Sequence, residues 1–198
     1  LKKKLSNRVK NLMIVGVGAI GKRHFQSLIE LNGEANFFLV DQTFNKLKKN
    51  KIKNYLGIKS IHYSKKIFFY KNVDEWINQN IILDLCIIAT TSDDRFLILK
   101  KIISRSIVKN IILEKFLFNK ISDYNKALNI SKVQTSAIFV NQWMCQSSKL
   151  RNILNKFRNF QLDFLVTGTE WGLATNILHF IDLVRFFRLM RFLILSKV

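Results

Sequence analysis

Three glycines spaced G-x-G-x-x-G between an apolar run and a helical pattern restrict a chain to very few folds, and residues 16–21 read Gly16-Val17-Gly18-Ala19-Ile20-Gly21. The run before them is Asn11-Leu12-Met13-Ile14-Val15, and Lys22-Arg23-His24-Phe25-Gln26-Ser27-Leu28-Ile29 continues at helical spacing after them. Strand, glycine turn and helix in that order form the context in which the spacing marks a dinucleotide site. Gly16 permits the tight turn, Gly18 lets a pyrophosphate approach the backbone, and Gly21 lets the helix pack close to the strand. The first helical residues, Ala19 and Ile20, offer unpaired N–H groups and a partial positive charge to phosphates. Asp41 ends the next apolar run, Asn36-Phe37-Phe38-Leu39-Val40, about 20 residues after the last glycine. An acid there accepts the adenosine ribose hydroxyls and disfavours a 2′-phosphate, so the expected cofactor is NAD, with NADP possible. The alternative is a glycine turn in an ordinary α/β domain, with Asp41 a strand-end turn residue.

The rest of the chain alternates strand-like and helix-like segments. A helix is expected over Ala19 to Leu31, a strand over Asn36 to Val40, and a lysine-rich helix over Thr43 to Leu56. Ile67 to Tyr70 is a possible short strand, and Asp74 to Gln79 reads as one or two helical turns. Ile81 to Ala89 is nearly continuous in apolar residues, as suits a strand buried on both faces of a parallel sheet. Thr90-Thr91-Ser92-Asp93-Asp94 caps a helix running to about Ser104. Val108 to Leu113 is a strand that delivers Glu114-Lys115, a helix follows from Ser122 to about Lys132, and Ala137 to Val140 is the last strand of the series. Strands alternating with helices imply a doubly wound parallel sheet, the Rossmann arrangement, over residues 1–141. Ligands of such sheets bind beyond the carboxyl ends of the strands, where the fingerprint, Asp41, Thr90, Thr91, Glu114 and Lys115 all fall. Residues 142–198 read as an incomplete second α/β domain, with a helix over Gln146 to Phe157, a strand over Phe160 to Thr167 and helical periodicity from Leu173 to about Leu193.

Composition excludes several classes. The 33 Lys and Arg against 13 Asp and Glu give +20, but the basic residues are scattered and form no aromatic-interleaved stripe. The charge therefore indicates a solvated basic surface, and specific nucleic-acid binding ranks well below the dinucleotide reading. Two cysteines, Cys86 and Cys145, make no disulfide framework, and no metal-ligand spacing is present. No apolar stretch reaches the roughly 18 residues of a membrane span, so a soluble cytoplasmic protein is expected.

The fingerprint, Asp84-Leu85-Cys86-Ile87-Ile88-Ala89-Thr90-Thr91, Ile112-Leu113-Glu114-Lys115-Phe116 and Trp171-Gly172-Leu173-Ala174-Thr175-Asn176-Ile177-Leu178-His179-Phe180-Ile181-Asp182 together resemble the Gfo/Idh/MocA oxidoreductases. The resemblance runs from about residue 10 to residue 187. It implies an N-terminal Rossmann domain, a C-terminal α/β domain on a large open sheet, and hydride transfer between NAD or NADP and a sugar, nucleotide-sugar or polyol hydroxyl. It also implies homo-oligomeric full-length relatives, and its wording is most similar to members found with surface-polysaccharide genes. Glu114-Lys115-Phe116 resembles the family's Glu-Lys-Pro motif, which makes Lys115 the expected catalytic lysine and His179 the expected second catalytic residue. Phe116 departs from the proline, and Thr175 stands where many members carry an acid. The chain stops where the family continues, so it is expected to be a fragment or a prematurely ended chain.

Hydride transfer needs a group that moves the hydroxyl proton. Lys115, at a strand end, is placed to hydrogen-bond a substrate oxygen; the alternative is a solvated lysine. His179 is of the residue type suited to proton exchange near neutral pH; the alternative is a histidine satisfied in a packing seam. Thr175, His179, Asp182 and Phe186 share one helical stripe bordered by Asn176, so Thr175 and Asn176 are candidate substrate contacts. Trp171 is a candidate platform for a sugar ring. His24 is read as a local packing residue, and Trp76 and Trp143 as core or seam aromatics. The competing function is a truncated or non-catalytic dinucleotide-binding protein.

Overall fold

A computed structural model describes residues 8–31, 33–47, 49–58, 65–76, 80–133, 137–141, 147–157, 162–168, 173–184 and 190–196. The chain divides into two compact units, residues 1–140 and 141–198. In the first, strands β1 (Lys10–Val15), β2 (Ala35–Val40), β3 (Lys65–Tyr70), β4 (Leu85–Ile88), β5 (Asn110–Leu113) and β6 (Ala137–Val140) form one sheet in the order β3-β2-β1-β4-β5-β6. All five neighbouring pairs are parallel. Helices α1 (Ala19–Ile29), α2 (Lys49–Leu56), α3 (Val73–Trp76), α4 (Ser92–Arg105) and α5 (Ile121–Val133) connect them.

The period of two along each strand sorts its side chains onto two faces. Met13, Val15, Phe38, Val40, Cys86 and Ile88 join Trp76 of α3 and Phe96, Leu99 and Ile102 of α4 in one apolar cluster. Ile14, Phe37, Leu39 and Ile87 join Phe25 of α1 and Ile52 and Leu56 of α2 in the other. That is why β1, β2 and β4 read as continuous apolar runs: both of their faces are covered. Trp76 is a core aromatic, packed edge-on against Phe38 with ring centroids 6.0 Å apart. Cys86 is buried as well, and desolvation pushes its thiol up to about 12, which leaves it chemically inert at neutral pH.

The chain winds from β1 outward to β3, then returns to the other side of β1 with β4. The sheet order therefore reverses between β1 and β4, where a crevice opens beyond the strand ends. Two expected elements differ. The helix expected from Thr43 begins only at Lys49, because Asp41 instead caps a 3₁₀ turn over Gln42–Asn45. The strand expected over Ile81 to Ala89 is shorter, with Leu83 making an isolated bridge to Val108 ahead of β4.

The second unit contains α6 (Ser148–Lys156), β7 (Leu162–Gly168), α7 (Leu173–Val184) and β8 (Met190–Ser196). Strands β7 and β8 are parallel and in register from Leu162↔Met190 to Gly168↔Ser196. This corrects the helix expected to reach Leu193. The run from Met190 to Leu195 is apolar enough to satisfy either period, and pairing with β7 decides between them by supplying a backbone ladder. Trp143, Cys145, Trp171, Phe186 and His62 lie outside the described residues.

Candidate functional site

The first two glycines of the fingerprint occupy the reversal point. Gly16 has φ +83, and a β-carbon on it would come within 2.8 Å of the Thr90 nitrogen. Only glycine accepts both the left-handed backbone and the approach of the β4–α4 loop. Gly21 has a different reason: its β-carbon would lie 1.9 Å from the Gly16 carbonyl oxygen, so a side chain there would lever α1 off the turn. At Gly18 nothing lies within 4 Å of such a carbon, and the residue is exposed. Gly18 is also the N-cap of α1 and supplies no side-chain oxygen to the first turn, which holds no acidic residue. The leading N–H groups, with exposed Ala19 and Ile20 behind Gly18, therefore face an open surface of positive character.

Val17, between the first two glycines, is pinned at both ends of its peptide. Its N–H donates to Asp41 Oδ2 at 2.6 Å, and its carbonyl accepts from the Tyr55 hydroxyl at 3.0 Å. Asp41 Oδ1 accepts from the Thr43 N–H at 2.8 Å. Both carboxylate oxygens thus hold backbone, and each retains a further lone pair for a ligand. Tyr55 was not singled out by the sequence; its hydroxyl reaches Val17 from a helix whose periodicity shows only an amphipathic face.

A cleft of about 640 Å³ opens here. Gly16, Gly18, Asp41, Thr90 and Thr91 line it, with Val40, Val73, Leu97 and Ile98 as apolar wall and Lys101 paired to Asp74 at 2.7 Å on its rim. The Thr90 hydroxyl is buried and has no hydrogen-bond partner among the described residues. An elongated molecule with phosphates, sugar hydroxyls and a flat apolar ring suits this lining. The open Gly18 face, the orphaned Thr90 hydroxyl and the Asp41 acceptors fit a dinucleotide in particular.

Glu114 and Lys115 follow β5, the strand beside β4, and the Glu114 N–H donates to the Ile88 carbonyl at 3.2 Å. Glu114 is buried, and its Oε1 lies 2.6 Å from His24 Nε2. His24 therefore does more than fill local space: it fastens the carboxylate beside Lys115 to α1. Lys115 is half-buried, and the peptide joining it to Phe116 is cis. Burial pushes its ammonium below the usual lysine range, while Glu114 pulls it back up. Arg95, also missed by sequence reasoning, is buried on α4 at 2% exposure. Its only sequence signal is a cation on the helix face that also carries Phe96, Leu99 and Ile102.

In the second unit, His179 is buried on α7 and Asn176, one turn earlier, is half-buried. Thr175 lies on the same helix with its side chain outside the described residues, and Trp171 is outside them altogether. Among the described residues no cluster of His, Cys, Asp and Glu could hold a metal ion, and no helix is long and apolar enough to cross a membrane.

Solved structures share this architecture at low identity. UDP-N-acetylglucosamine 3-dehydrogenase GnnA from Acidithiobacillus ferrooxidans is 10% identical with a TM-score of 0.66, over 91% of this chain and 57% of its own. The myo-inositol dehydrogenase of Lactobacillus casei, solved with NAD(H) and myo-inositol, is 15% identical with a TM-score of 0.69, over 90% and 54%. The WlbA dehydrogenase of Thermus thermophilus, solved with NAD and UDP-GlcNAcA, is 13% identical with a TM-score of 0.70, over 95% and 73%. The chain spans little more than half the length of the first two. No curated protein matches it. The family model for an oxidoreductase family with an NAD-binding Rossmann fold matches residues 10–142, which is more than half of the sequence. On that match this chain belongs to the Gfo/Idh/MocA family of oxidoreductases, whose Rossmann fold binds NAD.

Proposed function

We propose that the chain acts in NAD-dependent hydride transfer between the nicotinamide and a hydroxyl or carbonyl of a sugar, nucleotide sugar or polyol, in a cytoplasmic setting. The observation that carries the reading is the cleft at the sheet reversal, shared by Gly16, Gly18, Asp41, Thr90 and Thr91. Similarity in fold to a UDP-N-acetylglucosamine dehydrogenase and to a dehydrogenase solved with UDP-GlcNAcA favours a nucleotide sugar, and the motif wording adds a role in surface-polysaccharide synthesis to the proposal.

Bound NAD supplies the ring that accepts or returns the hydride. The N–H groups behind Gly18, with Ala19 and Ile20, hold the pyrophosphate, and Gly21 keeps α1 close enough to aim them. Asp41 would accept the ribose hydroxyls, and Leu97 and Ile98, in the apolar wall of the cleft, would meet the purine. Lys115 hydrogen-bonds the substrate oxygen and stabilises charge developing there; its lowered ammonium value lets it release a proton more readily than a surface lysine. The resemblance assigns the second catalytic role to His179, the helical stripe offers Thr175 and Asn176 as substrate contacts, and Trp171 is offered as a platform for a sugar ring; all of these belong to the proposal.

Isothermal titration tests the cofactor reading: NAD should bind more tightly than NADP, and equal affinities would remove the specificity role of Asp41. Asp41→Ala should relax that preference and also weaken NAD itself, because it frees Val17 and Thr43. Turnover of a sugar, polyol and nucleotide-sugar panel tests the chemistry. Lys115→Ala and His179→Ala should each lower kcat about 10²-fold with NAD affinity retained. NAD binding without turnover of any panel member would leave only a dinucleotide-binding protein.

A further inference from the structure

The backbone carbonyls on both sides of Lys115 converge on a single guanidinium. Arg95 Nη1 shares its two N–H groups among three carbonyls, those of Glu114 at 2.6 Å, Leu117 at 3.1 Å and Phe116. Its Nη2 donates to the carbonyl of Thr90, in the loop after β4. That loop is the one Gly16 approaches so closely, and Thr90 lines the cleft. One side chain therefore ties the wall of the dinucleotide cleft to the segment that carries Lys115.

Burying a guanidinium costs several kcal/mol unless its donors are satisfied. Here the two terminal nitrogens reach four backbone carbonyls in two loops, while the buried Nε has no partner among the described residues, so the charge is used to shape the backbone. A planar fork can address carbonyls from two directions at once; an ammonium is a single point and cannot span them. Glu114 adds to the arrangement, since its carboxylate stabilises the Arg95 charge against burial and is itself held by His24 of α1.

We infer that Arg95 is a positioning residue: its guanidinium locks the Thr90 loop to the Glu114–Leu117 segment and so fixes where the Lys115 amine stands relative to the dinucleotide cleft. The functional weight of that position rests on the reading of Lys115 as the amine that meets substrate. The test reads the amine and its loop, not turnover, so its outcome is independent of whether Lys115→Ala loses activity.

In the whole chain, the pH profile of Lys115 acylation by acetic anhydride, followed by mass spectrometry, is compared with hydrogen exchange at the amides of residues 115–118. In Arg95→Lys the Lys115 profile should move up toward that of exposed lysines. Exchange at 115–118 should speed up about 10-fold or more while the amides of β1 and β4 keep their rates. An unchanged Lys115 profile with unchanged loop exchange would overturn the inference. So would acceleration spread evenly over β1, β4 and the loop, because that marks a stability residue only. If Arg95→Lys does not fold, the unmodified protein decides by NMR. Arg95 should then show separate, slowly exchanging Nη–H signals, and one averaged, fast-exchanging signal would refute the fork.

Discussion

The two units build parallel sheets by one local rule and reach different results. In residues 1–140 every crossover adds a strand to a sheet with helices on both faces, and Ile14, Leu39 and Ile88 are fully buried. In residues 141–198 the described sheet is β7 beside β8, joined through α7, and Leu165 of β7 is 60% exposed. Both apolar clusters draw their members, among the described residues, from the first unit. The two sets of strands are alike in composition. What differs is the number of neighbours, since a two-stranded sheet consists of edges and cannot cover itself.

The largest effect expected is on the well-covered side. Gly21→Val puts a side chain into the Gly16 carbonyl, a contact of backbone with no room to yield. It should cost about 3 kcal/mol or more in urea unfolding and abolish NAD binding in titration. A folded variant with normal affinity would show that α1 can leave the turn freely. A truncation pair contrasts the units directly. Leu99→Ala, in the fully buried seam of α4, should cost about 3 kcal/mol, whereas Leu165→Ala should stay within about 0.5 kcal/mol. Comparable losses would mean that β7 is covered in solution.

Hydrogen exchange sharpens the contrast without mutation. Amides of β1 and β4 should exchange about 100-fold or more slowly than those of β7 and β8, and equal protection would break the comparison. The smallest effect is electrostatic and confined to the first unit. Asp84 accepts from the Asn11 N–H at 3.1 Å and from Lys109 at 3.0 Å, and pairs with Arg8. Burial pushes its carboxyl up, but the Asn11 N–H, Lys109 and Arg8 together hold it below the ordinary value. A depressed folded value means stability that is present above the ordinary carboxylate range and lost as pH falls through the folded value. Asp84→Asn should therefore narrow the gap between the unfolding free energies from urea titration at about pH 7 and about pH 3, by about 1 kcal/mol or less. An unchanged gap would show that the cluster contributes nothing net.

Much of the first unit was legible because its signals are local. The glycine spacing, the apolar runs of β1, β2 and β4 and the position of Asp41 each follow from sterics or burial acting within a few residues. Boundaries were less legible where a side chain competed with the helix, as Asp41 does by capping the 3₁₀ turn ahead of α2. In the second unit, Met190–Ser196 carried a pattern compatible with either period, and its partner lies about 30 residues earlier in the chain.

The sequence alone specified a strand, a glycine turn and a helix entered through an exposed Gly18, with an acid beside them. It could do so because each requirement is met by neighbours along the chain. Only the tertiary structure decided that Arg95 would gather carbonyls from two loops, that His24 would hold Glu114 beside Lys115, and that Tyr55 would brace Val17. Those partners are separated by between 5 and 90 positions, and their bonds run between side chains and whatever backbone the packed sheet brings near. A hydrogen bond of that kind leaves no period in the sequence, because its geometry exists only after the strands have paired.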